Sequence, residues 1–177
     1  MKNNLKKTCF SAMFLAMGIV LPLFTSQIKE IGDSLLPMHI PVMLCGFICG
    51  PWFGLAVGFV LPFMRSIMFS MPPAYPNAVW MSLELATYGI VIGALYKKSK
   101  RDSLWHLYFC LIASMLSGRI VWGIAKTVLL GLGGKMFSFN AFITGGFVDA
   151  SLGIILQLLL IPSIMKVVNS ISYHKEK

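Results

Sequence analysis

Few side chains in this sequence can do chemistry, and five of those that can stand inside apolar runs: Arg65, Glu84, Arg119, Lys126 and Asp149. An ionisable group at the centre of a bilayer costs about 2.5–3.5 kcal/mol on insertion scales, so such residues face a cavity, a partner charge or a ligand rather than lipid. Three cations against two anions leave one positive charge over. A carboxylate-bearing ligand would satisfy it, whereas structural ion pairs, Arg65 with Glu84 or Arg119 with Asp149, are the competing reading. Rings at Tyr75, Trp80, Tyr88, Trp122 and Phe139 can stack on a planar or apolar ligand body, and amides at Asn77, Asn140 and Gln157 can fix its orientation.

The elements that carry these groups follow from composition. With 57% hydrophobic and 12% charged residues and a mean hydropathy of +0.80, the chain is too apolar for a soluble domain of 177 residues. Its long apolar runs lie near the ~20 residues a membrane helix needs, which excludes the short alternating strands of an outer-membrane barrel. The fold class expected is therefore all-α and membrane-integral: one compact bundle of six transmembrane helices over residues 1–177, with spans at about 5–26, 36–49, 52–70, 77–96, 104–130 and 142–168.

Charge then sets topology. The formal net charge of +9 would suit nucleic acid if it lay on one soluble face, but ten of the fifteen basic residues cluster at three places. Lys2, Lys6 and Lys7 precede the first run, Lys97, Lys98, Lys100 and Arg101 form the central loop, and Lys166, Lys175 and Lys177 end the chain. Excess Lys and Arg mark cytoplasmic segments, so both termini are expected inside. The first run also resembles a signal peptide, yet no A-x-A site follows it, and an even number of spans favours a retained helix. On this topology all five intramembrane charges lie between mid-membrane and the outer surface, lining a cavity open to the outside. The polar stretch Gln27–Asp33 is either a lid over that cavity or an ordinary connection.

Small residues mark close helix contacts. Gly46, Gly50, Gly54 and Gly58 recur every four residues across the Gly50-Pro51-Trp52 turn, and Ala12 and Ala16 make a small-xxx-small face on the first helix. Cys45 and Cys49 share a helix face, but His39 is six residues back and no second pair follows, so packing is favoured over a metal site. The glycine-rich loop Gly131–Lys135 is no phosphate-binding loop. Leu129 stands where its first glycine belongs and Met136 where its magnesium-binding hydroxyl belongs.

Six spans in under two hundred residues, Ala12-x-x-x-Ala16, the Pro41-Val42 to Gly50-Pro51-Trp52-Phe53-Gly54 pair, the Met71-Pro72-Pro73 turn and Glu84-Leu85-Ala86-Thr87-Tyr88-Gly89 together resemble the substrate-binding S-component of an energy-coupling factor (ECF) vitamin transporter. The resemblance covers nearly the whole chain, and its specific part runs from His39 to Tyr96. It implies a vitamin-capture subunit that works with a transmembrane coupling protein and two cytoplasmic ATPases in a bacterial plasma membrane. Ala12 and Ala16 would then pack on the coupling protein. The outer ends of helices four to six and the loop after helix one would enclose the substrate, and the residues expected from their own types and positions to bind it are Arg65, Tyr75, Asn77, Trp80, Glu84, Tyr88, Arg119, Trp122, Lys126, Asn140 and Asp149.

No cofactor or metal is expected, and the chain has no nucleotide site of its own. The surplus cation favours an acid such as pantothenate; a neutral pyrimidine or pyridoxine precursor held by Asp149 and Glu84 is the alternative ligand. The competing function is a self-sufficient secondary transporter driven by protons through Glu84 and Asp149, against which stands the lack of an inverted repeat. H-E-x-x-H and G-x-S-x-G are absent, so the chain is not expected to be an enzyme.

Overall fold

The computed structural model describes residues 2–25, 35–97, 104–134 and 138–175. The Gln27–Asp33 stretch, most of the central basic loop, Lys135 and Lys177 lie outside them. Every regular element among the described residues is helical: α1 (Lys2–Thr25), α2 (His39–Cys49), α3 (Pro51–Phe69), α4 (Val79–Lys97), α5 (Leu104–Leu132), the short α6 (Phe139–Ile143) and α7 (Ser151–Lys175). Wide π-type turns lead into α4 at Ala74–Ala78 and out of α6 at Thr144–Val148.

Five stretches are long and apolar enough to cross a membrane: Asn4–Thr25, Pro51–Phe69, Ala74–Lys97, Leu104–Leu132 and Ser151–Ser170. Two expected spans look different. The run at 36–49 yields an eleven-residue helix, about 16 Å long at 1.5 Å per residue, against a hydrocarbon core of about 30 Å. The run at 142–168 is broken. Its first part belongs to α6 and the wide turn, where Gly145 and Gly146 lower helix propensity, and a regular helix begins only at Ser151.

Local chemistry explains the junctions. Gly50 has φ of +101°, a conformation that costs glycine nothing sterically, and its N–H bonds the Gly46 carbonyl to end α2. Pro51 then opens α3, where a missing N–H is harmless. At the far end of α3, Ser70 adopts a left-handed conformation and bonds the Ser66 carbonyl, and Pro72 and Pro73 prevent the helix from continuing.

Helix α4 is the centre of the bundle, touching α2, α3 and α5, while α1 packs on α2 and α3. The glycine stripe serves the expected close approach of α2 and α3, where a Cβ on Gly54 would stand 2.9 Å from the Gly46 Cα, and it admits α4 as well. A Cβ on Gly46 would stand 2.8 Å from the Gly89 carbonyl oxygen, and one on Gly54 2.7 Å from the same atom. Three backbones thus meet where Gly46, Gly54 and Gly89 converge. Gly58 presses likewise on the backbone at Leu85 and Ala86.

Side contacts order the ends. Ser11 of α1 lies beside Cys45 of α2, and Tyr96 near the end of α4 exchanges hydrogen bonds with Asn169 of α7. The start of α1, the Gly50 turn and the ends of α4 and α7 therefore share one end of the bundle. That end carries Lys6, Lys7, Lys97 and Lys166, and we call it the basic end.

Candidate functional site

The charged centre is built by α2, α4 and α5. Glu84, 2% exposed, lies on the first half of α4, and its Oε1 receives a hydrogen bond from the Tyr88 hydroxyl at 2.9 Å. Arg119 of α5 places Nη1 3.0 Å from the same oxygen, and His39 Nε2 of α2 is 3.6 Å away. Tyr88 is one helical turn after Glu84, so both project to one side of α4. Its ring fills the space above Gly118, where a Cβ would come within 2.8 Å of ring carbons, and it leans on the His39 ring with centroids 5.2 Å apart. The glycine before Arg119 is thus what lets tyrosine and arginine reach one carboxylate together.

One turn further from the basic end stands an aromatic layer. Trp80 of α4 and Trp122 of α5, each less than a tenth exposed, cluster with Ala125. Lys126 sets its ammonium 4.5 Å from the Trp122 ring centroid and 5.4 Å from that of Trp80, inside the cation–π range. The Arg119 guanidinium also lies over the Trp122 ring, 5.9 Å from its centroid. The α6 segment closes the same place from outside. Phe142 occupies the gap left by Gly123 and lies 6.0 Å from the Trp122 ring, flanked by Phe139 and Phe147, while Gly145 and Gly146 pass over Trp122.

Of the eleven residues that sequence reasoning assigned to a ligand, six come together here: Trp80, Glu84, Tyr88, Arg119, Trp122 and Lys126. Tyr75, 63% exposed, and the half-buried Asn77 belong to the turn before α4, at the rim. Asn140 and Asp149 are exposed at the start of α6 and before α7. Arg65 stands apart from the group. It is buried on α3, with Nη1 3.5 Å from the Ile19 carbonyl of α1 and its guanidinium 5.8 Å from the Phe69 ring. The ion pairing differs from both combinations considered above: Glu84 pairs with Arg119, because α4 and α5 are antiparallel neighbours and Gly118 opens the space between them.

Sequence reasoning missed His39, Gly118 and Phe142. The signal for His39 is its place in the Met38-His39-Ile40-Pro41 run, a polar ring entering an apolar helix. It is 2% exposed and makes no hydrogen bond among the described residues. Gln157 of α7 is likewise buried, its amide nitrogen unbonded among the described residues. Cys45 donates to the Ser11 hydroxyl at 3.6 Å, a contact between α2 and α1. No group of three metal-ligating side chains occurs among the described residues.

On α1 the inward stripe is Ser11, Phe14, Gly18 and Pro22, leaving Ala12 and Ala16 on the outer surface between exposed Met13 and Met17. A buried charge centre thus lies beneath an aromatic layer in an apolar helical chain whose small-residue face on α1 is turned outward. Comparison with known proteins bears on this directly. The family model described as ECF transporter, substrate-specific component, matches residues 6–168, and neither the curated proteins nor the solved structures searched gave a match. With nearly its whole length matched, the chain belongs to the substrate-specific components of ECF transporters, a family of multi-pass membrane transport subunits.

Proposed function

We propose that this S-component captures a small carboxylate-bearing micronutrient, of the size and polarity of pantothenate, in the layer formed by Trp80, Trp122 and Lys126. The observation that carries the reading is the Lys126 ammonium held 4.5 Å from Trp122, a cation presented on an aromatic floor near one end of the bundle. The ligand's acid group would meet Lys126, its body would stack on the indoles, and Tyr75, Asn77, Asn140 and Asp149 would bound it at the rim. Glu84 and Arg119 neutralise one another beneath, so Arg119 would donate to neutral groups of the ligand, and Glu84 and the Tyr88 hydroxyl oxygen would accept from them.

The basic end is cytoplasmic in this reading, with six helices embedded in the plasma membrane of a bacterium, α2 counted among them. Ala12 and Ala16 form the docking face for a transmembrane coupling protein, and two cytoplasmic ATPases drive uptake. Family membership supports the partner classes and weighs against a self-sufficient proton-coupled carrier.

The experiment is to purify the protein in detergent from cells grown in rich medium and identify the co-purifying molecule by mass spectrometry. An acid of a few hundred daltons, lost on Lys126→Gln, is the expected result. A retained ligand without an acidic group, or one indifferent to Lys126→Gln, would overturn the acid assignment while leaving the capture role standing.

A further inference from the structure

Arg65 has a charge and nothing described that meets it. The residue is 6% exposed, and among the described residues its Nε makes no hydrogen bond and its Nη1 lies 3.5 Å from the Ile19 carbonyl oxygen. The acids among the described residues are Glu84 and Asp149. Glu84 is committed to Arg119, and Asp149 lies exposed in the turn before α7, a helix that packs on α2 and α5. Arginine does not deprotonate in proteins, so this burial cannot be relieved by losing the charge. An isolated buried cation costs several kcal/mol unless a counter-charge and hydrogen bonds satisfy it.

The position says where a counter-charge can come from. Arg65 lies four residues before the end of α3 and Ile19 six before the end of α1, which puts the guanidinium about 6–9 Å inside that end of the bundle. Helix α3 is about 28 Å long, close to the thickness of the hydrocarbon core. A long side chain at that depth reaches the interface, where phosphates and soluble acids are both present. The planar fork has donors to spare for a bidentate oxyanion, with the Phe69 ring 5.8 Å away as its backing.

We propose that Arg65 binds an oxyanion, a phosphate or a carboxylate, at the seam between α1 and α3, as a site separate from the Trp122 layer. The proposal rests on the membrane placement of the chain and not on the acid reading of Lys126. The anion would tie α3 to α1, the helix whose outer surface carries Ala12 and Ala16.

The test uses the full chain purified in a phosphate-free maltoside detergent, as wild type, Arg65→Lys and Arg65→Gln. Thermal unfolding is followed while inorganic phosphate, acetate or phosphatidylglycerol is added. Wild type is expected to gain about 3 °C or more with an oxyanion at saturation, Arg65→Lys to gain less, and Arg65→Gln to gain nothing. Stabilisation by phosphate or acetate alone identifies a soluble anion; stabilisation by the lipid alone identifies a headgroup. If Arg65→Gln does not fold, the wild-type titration compared with Arg65→Lys still decides. The proposal falls if no anion stabilises wild type more than the charge-neutral variant. It falls also if wild type ignores all three probes while Glu30→Gln with Asp33→Asn loses as much stability as Arg65→Gln, since the counter-charge is then internal.

Discussion

The Glu84–Arg119 pair makes a quantitative prediction, because its two charges are 3.0 Å apart and almost wholly excluded from solvent. At an effective dielectric constant of about 20, Coulomb's law gives roughly 5–6 kcal/mol of attraction at that distance. Most of this offsets the cost of removing both ions from solvent, so the pair adds little net stability, yet losing one member strands the other. Glu84→Gln and Arg119→Met alone should each cost ~3–5 kcal/mol, or roughly 10 °C in Tm for a chain of this length. The double variant should cost less than either, because the Tyr88 hydroxyl can still donate to the new amide oxygen while no charge is left behind. A coupling energy of at least ~3 kcal/mol follows. Unfolding in detergent, followed by the fluorescence of the buried Trp80 and Trp122, measures all four corners of the cycle. If the double variant loses the sum of the two single losses within ~0.5 kcal/mol, the two groups do not interact as described.

Other predictions follow from packing and topology. Gly89→Ala should destabilise by at least ~1–3 kcal/mol, since its Cβ would enter the Gly54 backbone, whereas Gly131→Ala, with open space around it, should be neutral or gain up to ~1 kcal/mol; equal effects on unfolding would refute the three-helix contact. Ala12→Leu or Ala16→Leu should abolish cellular uptake while leaving the co-purified ligand in place, and loss of both together would deny the coupling role. A cysteine at Ser99 should react with an impermeant reagent only from the cytoplasm and one at Ser138 only from outside, in a background where the native thiols are blocked.

The charges were legible because an ionisable residue inside an apolar run is rare enough to see one at a time. Their partners were not legible. Arg65 and Glu84 are nearer in sequence than Glu84 and Arg119, yet helix rotation and the gap at Gly118 decide which guanidinium meets the carboxylate. The same limit applies to the glycine stripe. Gly46 and Gly54 announce close approach, but the helix that approaches is identified only by Gly89 and Gly93, which repeat the four-residue spacing on α4 and can be read as its complement. Helix lengths were harder still. An apolar run fixes where a chain prefers lipid, while the breaks at Leu36, where φ is positive, and after Ile143 depend on backbone conformations that hydropathy does not encode.

The meeting of Gly46, Gly54 and Gly89 has a mechanical consequence. Where peptide backbones touch without intervening side chains, no rotamer can change to let one helix slide past another, so α2, α3 and α4 behave as one stiff wedge. The compliant joints lie elsewhere. Gly18 of α1 rests on the branched end of the Leu61 side chain, and Gly123 of α5 on the Phe142 ring, both of which can turn. On the proposed function, opening for a ligand would concentrate in the α6 cap over Trp122 and a change passed to a coupling partner in the seat of α1, with the wedge between them as a fixed fulcrum.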